Sequence, residues 1–248
     1  MREQQLPPSD FVPAYLRARE REGRLLADEL VRDLPLLPAA DPLADEWHRR
    51  ADSARRIVSH LANMPQPLPQ SLRVLDLGCG NGWLSARMAA LAHVNVIGID
   101  INTTELEQAR RVFAARPRLA FESGDLEGRG WPARAPDVVV LASSLQYVAD
   151  PAGLFARLLA AYPTTGVHVL DTPIYSGAEI EAARERSREH YERIGVPQMI
   201  GYYHHHDWDI FAGFPHRVLF DPAAPHNRVA RVVLRRRTTP FPWIEVTG

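Results

Sequence analysis

From residue 72 onward, short apolar runs alternate with stretches whose apolar letters recur every three or four positions. "LRVLDL", "NVIGID", "LAFESGD", "DVVVLASS" and "GVHVLDT" read as five strands. The fourth is apolar through its centre, as strands buried on both faces are. Between the strands, three groups fall at helical spacing: Leu84, Met88 and Leu91; Leu106, Ala109 and Phe113; and Leu154, Phe155, Leu158 and Leu159. Thr104-x-x-Glu107 predicts a capping box for the second helix, and Asp150-Pro151 predicts the start of the third. Strands alternating with helices predict a parallel, doubly wound sheet.

The flanks have a different texture. Residues 1–70 are Pro-punctuated and largely helical. "AYLRARERE" to "ADELVRDL" reads as one helix or two, with exposed Arg and Glu. Asp41-Pro42 predicts an N-cap and first helical position. Trp47, Ala51, Ala54, Val58 and Leu61 then give that helix one apolar face, and "MPQPLPQ" ends it. After the fifth strand, Ser176-x-x-Glu179 predicts a capping box for a long helix. Its less polar face carries Ile180, Ala183, Ser187, Tyr191 and Ile194, and Gly195 and Pro197 stop it. "HRVLF" and "FPWIEV" are the remaining strands, and "RVARVVLRRR" between them reads as strand or helix.

A length of 248 residues suits one α/β domain with a full core, or two very small domains. The net charge of -1 gives no bulk electrostatic reason to expect nucleic acid or an acidic membrane as partner. Cys79 is the single cysteine, so no intrachain disulfide forms and a cytoplasmic setting is expected. "MREQQLPPSD" has no apolar signal region, and no apolar run has the length of a membrane span.

"VLDLGCGNGW" holds the most chemistry. A strand ends at Leu77, and Gly78, Gly80 and Gly82 make a tight turn into a helix. Glycine serves where backbone takes positive φ or approaches a ligand closely, and the helix start offers free N–H groups. The spacing is neither the dinucleotide G-x-G-x-x-G nor a G-K-[ST] phosphate loop. Asp76, two residues before the first glycine, would repel a pyrophosphate and suits a ligand with an ammonium group. Asp100 ends the second strand, where an acid accepts both hydroxyls of a ribose. Asp125 follows the third, where an acid accepts from an adenine amino group. Three acids at successive strand ends with one glycine loop describe a site for a cationic amino acid joined to adenosine.

On these residues the sequence resembles the class I S-adenosylmethionine-dependent methyltransferases, specifically the type 11/12-like small-molecule branches. The motifs cover roughly residues 72–172. The resemblance implies a Rossmann-like, doubly wound sheet of seven strands, mostly parallel with one antiparallel strand, carrying an N-terminal helical cap. Residues 1–70 would be the helical extension or lid and 71–248 the methyltransferase domain. "HRVLF" and "FPWIEV" would supply the last two strands, the antiparallel one lying between the fifth and sixth. The cofactor implied is S-adenosylmethionine. Asp76, Gly78, Cys79, Gly80 and Gly82 would line its methionine part, Asp100 and Ile101 its ribose, and Asp125 and Leu126 its adenine. The segment "SSLQYVAD", with Ser143 and Gln146, would border cofactor and acceptor.

Transfer from a sulfonium is an in-line displacement that needs a base only when the acceptor must lose a proton. No N/D-P-P-Y/F follows the fourth strand and no paired cysteines occur. A small-molecule acceptor is therefore expected, with no nucleic acid, no membrane partner and no metal. A non-catalytic cofactor-binding or scaffold protein is the alternative, and a NAD-dependent oxidoreductase is disfavoured by Asp76 and the glycine spacing. Asp171 and Thr172 in "LDTPIYS" sit at the fifth strand's carboxyl end and Tyr175 follows, as a candidate catalytic residue; a plain strand terminus and turn is the competing reading. The early helix with Trp47, Arg50 and Ser53 reads as a lid or as a packing helix with a solvated basic face. His204, His205 and His206 in "GYYHHHDWDIFAGF" follow the fifth strand and its helix, and a substrate-facing histidine there would take an acceptor proton. A crowded loop is the competing reading.

Overall fold

A computed structural model describes residues 8–64, 71–227 and 238–248. The segment "RVARVVLRRR" lies outside the described residues, as does most of "MPQPLPQ".

The five core strands are β1 (Leu72–Leu77), β2 (Val94–Asp100), β3 (Leu119–Ser123), β4 (Val138–Ala142) and β5 (Gly166–Leu170). Two-residue strands β6 (Ile174–Tyr175) and β7 (His206–Asp207) pair with each other, and β8 (His216–Phe220) and β9 (Trp243–Val246) complete the main sheet. Its order is β3-β2-β1-β4-β5-β9-β8. All neighbours are parallel up to β5, and β9 runs antiparallel to both β5 and β8. This is the expected Rossmann-like sheet, with "FPWIEV" supplying the antiparallel strand between the fifth and "HRVLF". The order reverses between β1 and β4, which opens a crevice at their carboxyl ends.

The central strands bury both faces with the two-residue period of β structure. Val74, Val138 and Val140 pack on one side with Ile57, Leu61 and Met88. Leu75, Leu77, Val139 and Leu141 pack on the other with Phe155 and Phe211. Ile57 and Leu61 belong to α3 (Ala44–Asn63), so this helix is part of the sheet's core and not only a cover.

The remaining helices are α1 (Pro8–Arg21), α2 (Asp28–Asp33), α4 (Trp83–Met88), α5 (Thr103–Val112), α6 (Pro151–Ala161) and α7 (Gly177–Arg193). The early charged stretch is thus two helices, and the caps at Asp150 and Ser176–Glu179 form as expected. Two others differ. α5 is capped by Asn102, whose side chain accepts from Thr104 and Glu105 N–H, because the chain turns directly off β2 at Asp100. α3 begins at Ala44, and Asp41 instead caps the preceding turn through Leu43 N–H. The buried face of α3 also includes Asp52 and Ser53, which hydrogen bond to Thr239 and Asp171. Among the described residues, no helix is long and apolar enough to cross a membrane.

Candidate functional site

The glycine loop is fixed from behind by β2. Gly78 and Cys79 N–H both donate to Ile99 O, at 2.8 and 3.0 Å. Gly80 N–H donates to Asp100 Oδ2 at 2.7 Å, and Asn102 N–H donates to its Oδ1 at 2.8 Å. Gly78 needs its glycine: φ is +82°, and a Cβ would lie 2.5 Å from Ser144 Cβ. Gly82 is equally constrained, with φ +74° and Phe121 Cζ 2.4 Å from a Cβ position. Asp125, two residues past β3, accepts from Glu127 and Arg129 N–H on Oδ1 and from Arg129 Nε on Oδ2, each at 3.0 Å.

These elements border a cavity of about 620 Å³ over the carboxyl ends of β1, β2 and β4. Asp100, Ile101, Asp125, Leu126, Gly78, Gly80, Ser143, Tyr147, Tyr202 and His204 all line it. A smaller cavity of about 70 Å³ adjoins it across Gly78, Gly80, Glu105, Ser143 and Tyr15, and Cys79 lines only this one. Asp76 and Gly82 border neither cavity. Asp76 is buried beneath the loop and accepts Ser85 Oγ at 2.5 Å. Gln146 also stands back: its amide bridges Ser143 O at 2.7 Å and Thr172 Oγ1 at 3.3 Å, tying the β4 loop to the end of β5. Ser143 and Asp171 at those strand ends are L residues with φ of +57° and +50°. Such strain persists where surrounding contacts over-determine it; here Ser143 N–H is held by Leu170 O and Asp171 by Ser53 and Thr239. Asp171 and Thr172 are buried and border neither cavity.

The three histidines part company. His204 lines the large cavity, and its N–H donates to Gln146 O at 2.7 Å. His205 turns toward α7, where its Nε2 lies 2.8 Å from Ser187 Oγ and its ring faces Tyr175 and Tyr203. His206 is buried, with Nε2 3.1 Å from Leu145 O and its backbone paired with Ile174. Burial holds His206 down at about 4, so it is neutral at neutral pH. Tyr175 shares that small sheet and borders neither cavity. Among the described residues, no group of three His, Cys, Asp or Glu is placed to hold a metal ion.

Several lining residues escape a reading of the sequence. Phe11, Tyr15 and Arg19 lie on α1, and Tyr15 and Arg19 fall in "AYLRARERE", expected to be helix with exposed Arg and Glu. Tyr15 packs against Tyr147 with ring centroids 5.6 Å apart, and α1 is held to α7 by His190 Nε2 and Glu22 Oε1 at 2.7 Å. Glu105 looks like an ordinary acid in a helix's first turn, yet it lines both cavities. Its only local sign is its place three residues after the capping Asn102, which donates to it at 3.1 Å.

Two carboxyls, Asp76 buried and Glu105 half-buried, sit beside the loop. Burial lifts Asp76 from the ordinary 3.8 to about 7, opposed by the Ser85 hydrogen bond and reinforced by Asp100. Burial likewise lifts Glu105 to about 7, opposed by Arg19. A carboxyl with a higher pKa folded than unfolded holds more protons in the folded state between the two values. Stability therefore falls as pH rises through that interval. Thermal melts of the free protein are expected to lose midpoint from about pH 4 to about pH 7. Asp76→Asn should flatten that slope, and a variant slope matching the wild type would refute the assignment.

Residues 74–166 match the family described as "Methyltransferase domain". A 125-residue stretch is 34% identical to trans-aconitate 2-methyltransferase of Acidovorax sp. (strain JS42), covering 50% of this chain and 46% of that one. A 150-residue stretch is 33% identical to 27-O-demethylrifamycin SV methyltransferase of Amycolatopsis mediterranei (strain S699), covering 58% and 55%. The chain thus spans about half the length of these curated relatives. The plantazolicin methyltransferase BpumL in complex with SAH superposes over 97% of both chains, with a TM-score of 0.54 at 13% identity, a likeness of fold. Residues 74–166 thus match a methyltransferase domain, and in this sheet order and in the glycine loop at the switch point the chain is similar to the class I S-adenosylmethionine-dependent methyltransferases.

Proposed function

We propose that this chain transfers the methyl group of S-adenosylmethionine to a small-molecule acceptor, at an O, N or C nucleophile, by in-line displacement. The observation that carries this reading is one cavity of about 620 Å³ lined together by Asp100, Asp125, the glycine loop, Tyr147 and His204. The residues fit the cofactor. Asp100 and Ile101 would hold the ribose, Asp125 and Leu126 the adenine, and Cys79, Gly80 and Ser143 would border the amino-acid part. A side chain at Gly78 would intrude where that part passes. Asp76, Gly82 and Gln146 act behind this surface: Asp76 through Ser85 on α4, Gly82 through Cys79 O and Gln146 through Ser143 O.

When bound, the cofactor supplies a methyl group already activated by its sulfonium. The chain's own work is positioning an acceptor about 3 Å from that methyl. Phe11, Tyr15, Tyr147 and Tyr202 wall the acceptor end and exclude water. His204 takes the acceptor proton when one must leave. His205, His206 and Tyr175 hold the segment that presents it, through Ser187, Leu145 O and β6–β7 pairing. The names of two relatives, trans-aconitate 2-methyltransferase and 27-O-demethylrifamycin SV methyltransferase, support a small acceptor.

Formation of S-adenosylhomocysteine from S-adenosylmethionine with a panel of small alcohols, amines and acids tests this. For a hydroxyl acceptor, His204→Ala should lower kcat about 100-fold and leave S-adenosylhomocysteine affinity unchanged. Wild-type turnover in that variant would remove His204 from the chemistry. Tight S-adenosylhomocysteine binding with no turnover across the panel would favour a non-catalytic binding protein instead.

A further inference from the structure

The large cavity is lined by Phe11 and Tyr15 from α1, by Tyr147 after β4 and by Tyr202 just before the histidines. These rings meet one another. Between ring centroids, Phe11 stands 5.6 Å from Tyr15, 5.5 Å from Tyr147 and 5.4 Å from Tyr202. Tyr15 and Tyr147 meet edge to face at 5.6 Å. Yet Phe11, Tyr15 and Tyr147 are only half-buried, so each keeps surface that its neighbours do not cover. A second layer backs them, with Tyr203 packed on Tyr147 and on Tyr191, both at 5.9 Å. Aromatic surface in a concave site receives the apolar part of a ligand, and a few polar groups fix its orientation. His204 is such a group. Its backbone N–H donates to Gln146 O, next to Tyr147 in the chain, and Tyr202 stands two residues before it.

The charges restrict what the rings can receive. Among the described residues, two guanidinium groups line this cavity against five carboxyls. Arg129 is already engaged by Asp125, at 3.0 Å from Nε and 2.9 Å from Nη2. A polycarboxylate would enter against that balance. A quaternary ammonium would meet Arg19, whose Nε donates to the Tyr15 phenol at 2.9 Å and whose charge also acts on Tyr147. Burial pushes the Tyr15 and Tyr147 phenols up, so both are neutral at neutral pH. The cluster therefore offers ring faces and edges without an anion of its own, which suits another uncharged ring.

We propose that the acceptor is an uncharged aromatic alcohol, a phenol or a naphthol, held against Phe11, Tyr147 and Tyr202 with its hydroxyl toward His204. This deepens the methyl-transfer reading and rests on it for the chemistry. A lone pair of the phenol oxygen forms the new C–O bond as the methyl C–S bond breaks. The electrons of that bond stay on sulfur, which leaves the neutral thioether S-adenosylhomocysteine. The phenol proton passes to the His204 imidazole and from there to water.

Calorimetry on the free and the S-adenosylhomocysteine-bound protein tests the site with matched probes. Catechol and 2-naphthol carry the aromatic ring, and trans-cyclohexane-1,2-diol and decahydro-2-naphthol are their saturated counterparts. Trans-aconitate and choline stand for an anion and a cation. At least one aromatic probe should bind about 10-fold tighter than its saturated counterpart, as contact with two rings provides. It should also bind tighter than trans-aconitate and choline, and yield S-adenosylhomocysteine from S-adenosylmethionine. Phe11→Leu keeps apolar bulk but removes a ring, so it should cut the aromatic preference about 3-fold and leave S-adenosylhomocysteine affinity unchanged. Tyr147→Leu should act in the same way, and it carries the test if Phe11→Leu does not fold. Equal binding of aromatic and saturated probes, tighter binding of trans-aconitate or choline, or no binding of either aromatic probe overturns the proposal. So does an unaltered preference in both variants, or aromatic binding beside S-adenosylhomocysteine with no turnover. Aromatic binding with the expected preference, in a protein that does not bind S-adenosylhomocysteine, would instead sink the methyl-transfer reading and leave the ring site standing.

Discussion

Asp100→Asn is expected to weaken S-adenosylhomocysteine binding about 100-fold. Two effects act together. The carboxylate would lose charge-assisted hydrogen bonds to the ribose hydroxyls, worth about 1.5–3 kcal/mol each, so loss of two accounts for about 3 kcal/mol or more. Asp100 also holds the glycine loop, accepting from Gly80 on one oxygen and from Asn102 on the other. An asparagine must set its NH₂ against one of those N–H donors, so the loop shifts even before ligand arrives. Calorimetry reads the affinity and thermal melting reads the loop. Wild-type affinity in this variant would mean that Asp100 does not meet the ribose.

Gly78→Ala should lower the melting midpoint of the free protein by about 5–15 °C. An L residue in the left-handed region costs about 1–2 kcal/mol, and forcing atoms into packed space adds about 1–3 kcal/mol. The new Cβ would stand 2.5 Å from Ser144 Cβ. Ser144 cannot simply withdraw, because it is buried and its Oγ donates to Leu77 O at 3.0 Å. Gly23→Ala separates the two costs. Gly23 has φ +67° and nothing within 4 Å of a Cβ, so its variant carries only the dihedral strain. Gly78→Ala should therefore melt well below Gly23→Ala, and equal midpoints would mean that the Ser144 contact is unimportant.

The parts of this molecule that were legible in its sequence are those fixed by near neighbours. "LRVLDL" is β1 to the residue, because Leu72, Val74, Leu75 and Leu77 make a short, mostly apolar run that ends at the glycine turn. The glycine loop and the acid at the end of β2 were legible because a turn and a strand end impose their residue types locally. Residues joined by tertiary contact were not. Tyr15 meets Tyr147, and Arg19 meets the glycine-loop cavity, across separations that leave no periodic trace. On its own helix Arg19 looks like any solvated arginine. The histidine run is opaque for another reason: three identical letters carry no sign of direction, whereas backbone alternation gives each a separate environment. His204 borders the cavity, His205 meets Ser187 and His206 sits under Leu145. The α5 cap was misplaced by one helical start for a similar reason. Thr104 and Glu107 match a pattern, but the chain leaving Asp100 puts Asn102 where the free N–H groups are.

The central claim, an adenosyl cofactor laid across the β1–β4 switch point, is tested most directly by a crystal structure of the full chain with S-adenosylhomocysteine. The ribose hydroxyls should meet the Asp100 carboxylate, the adenine should lie beside Asp125 and Leu126, and the sulfur should face the Tyr147–His204 end. A nucleoside bound elsewhere, or one whose ribose does not touch Asp100, would contradict it.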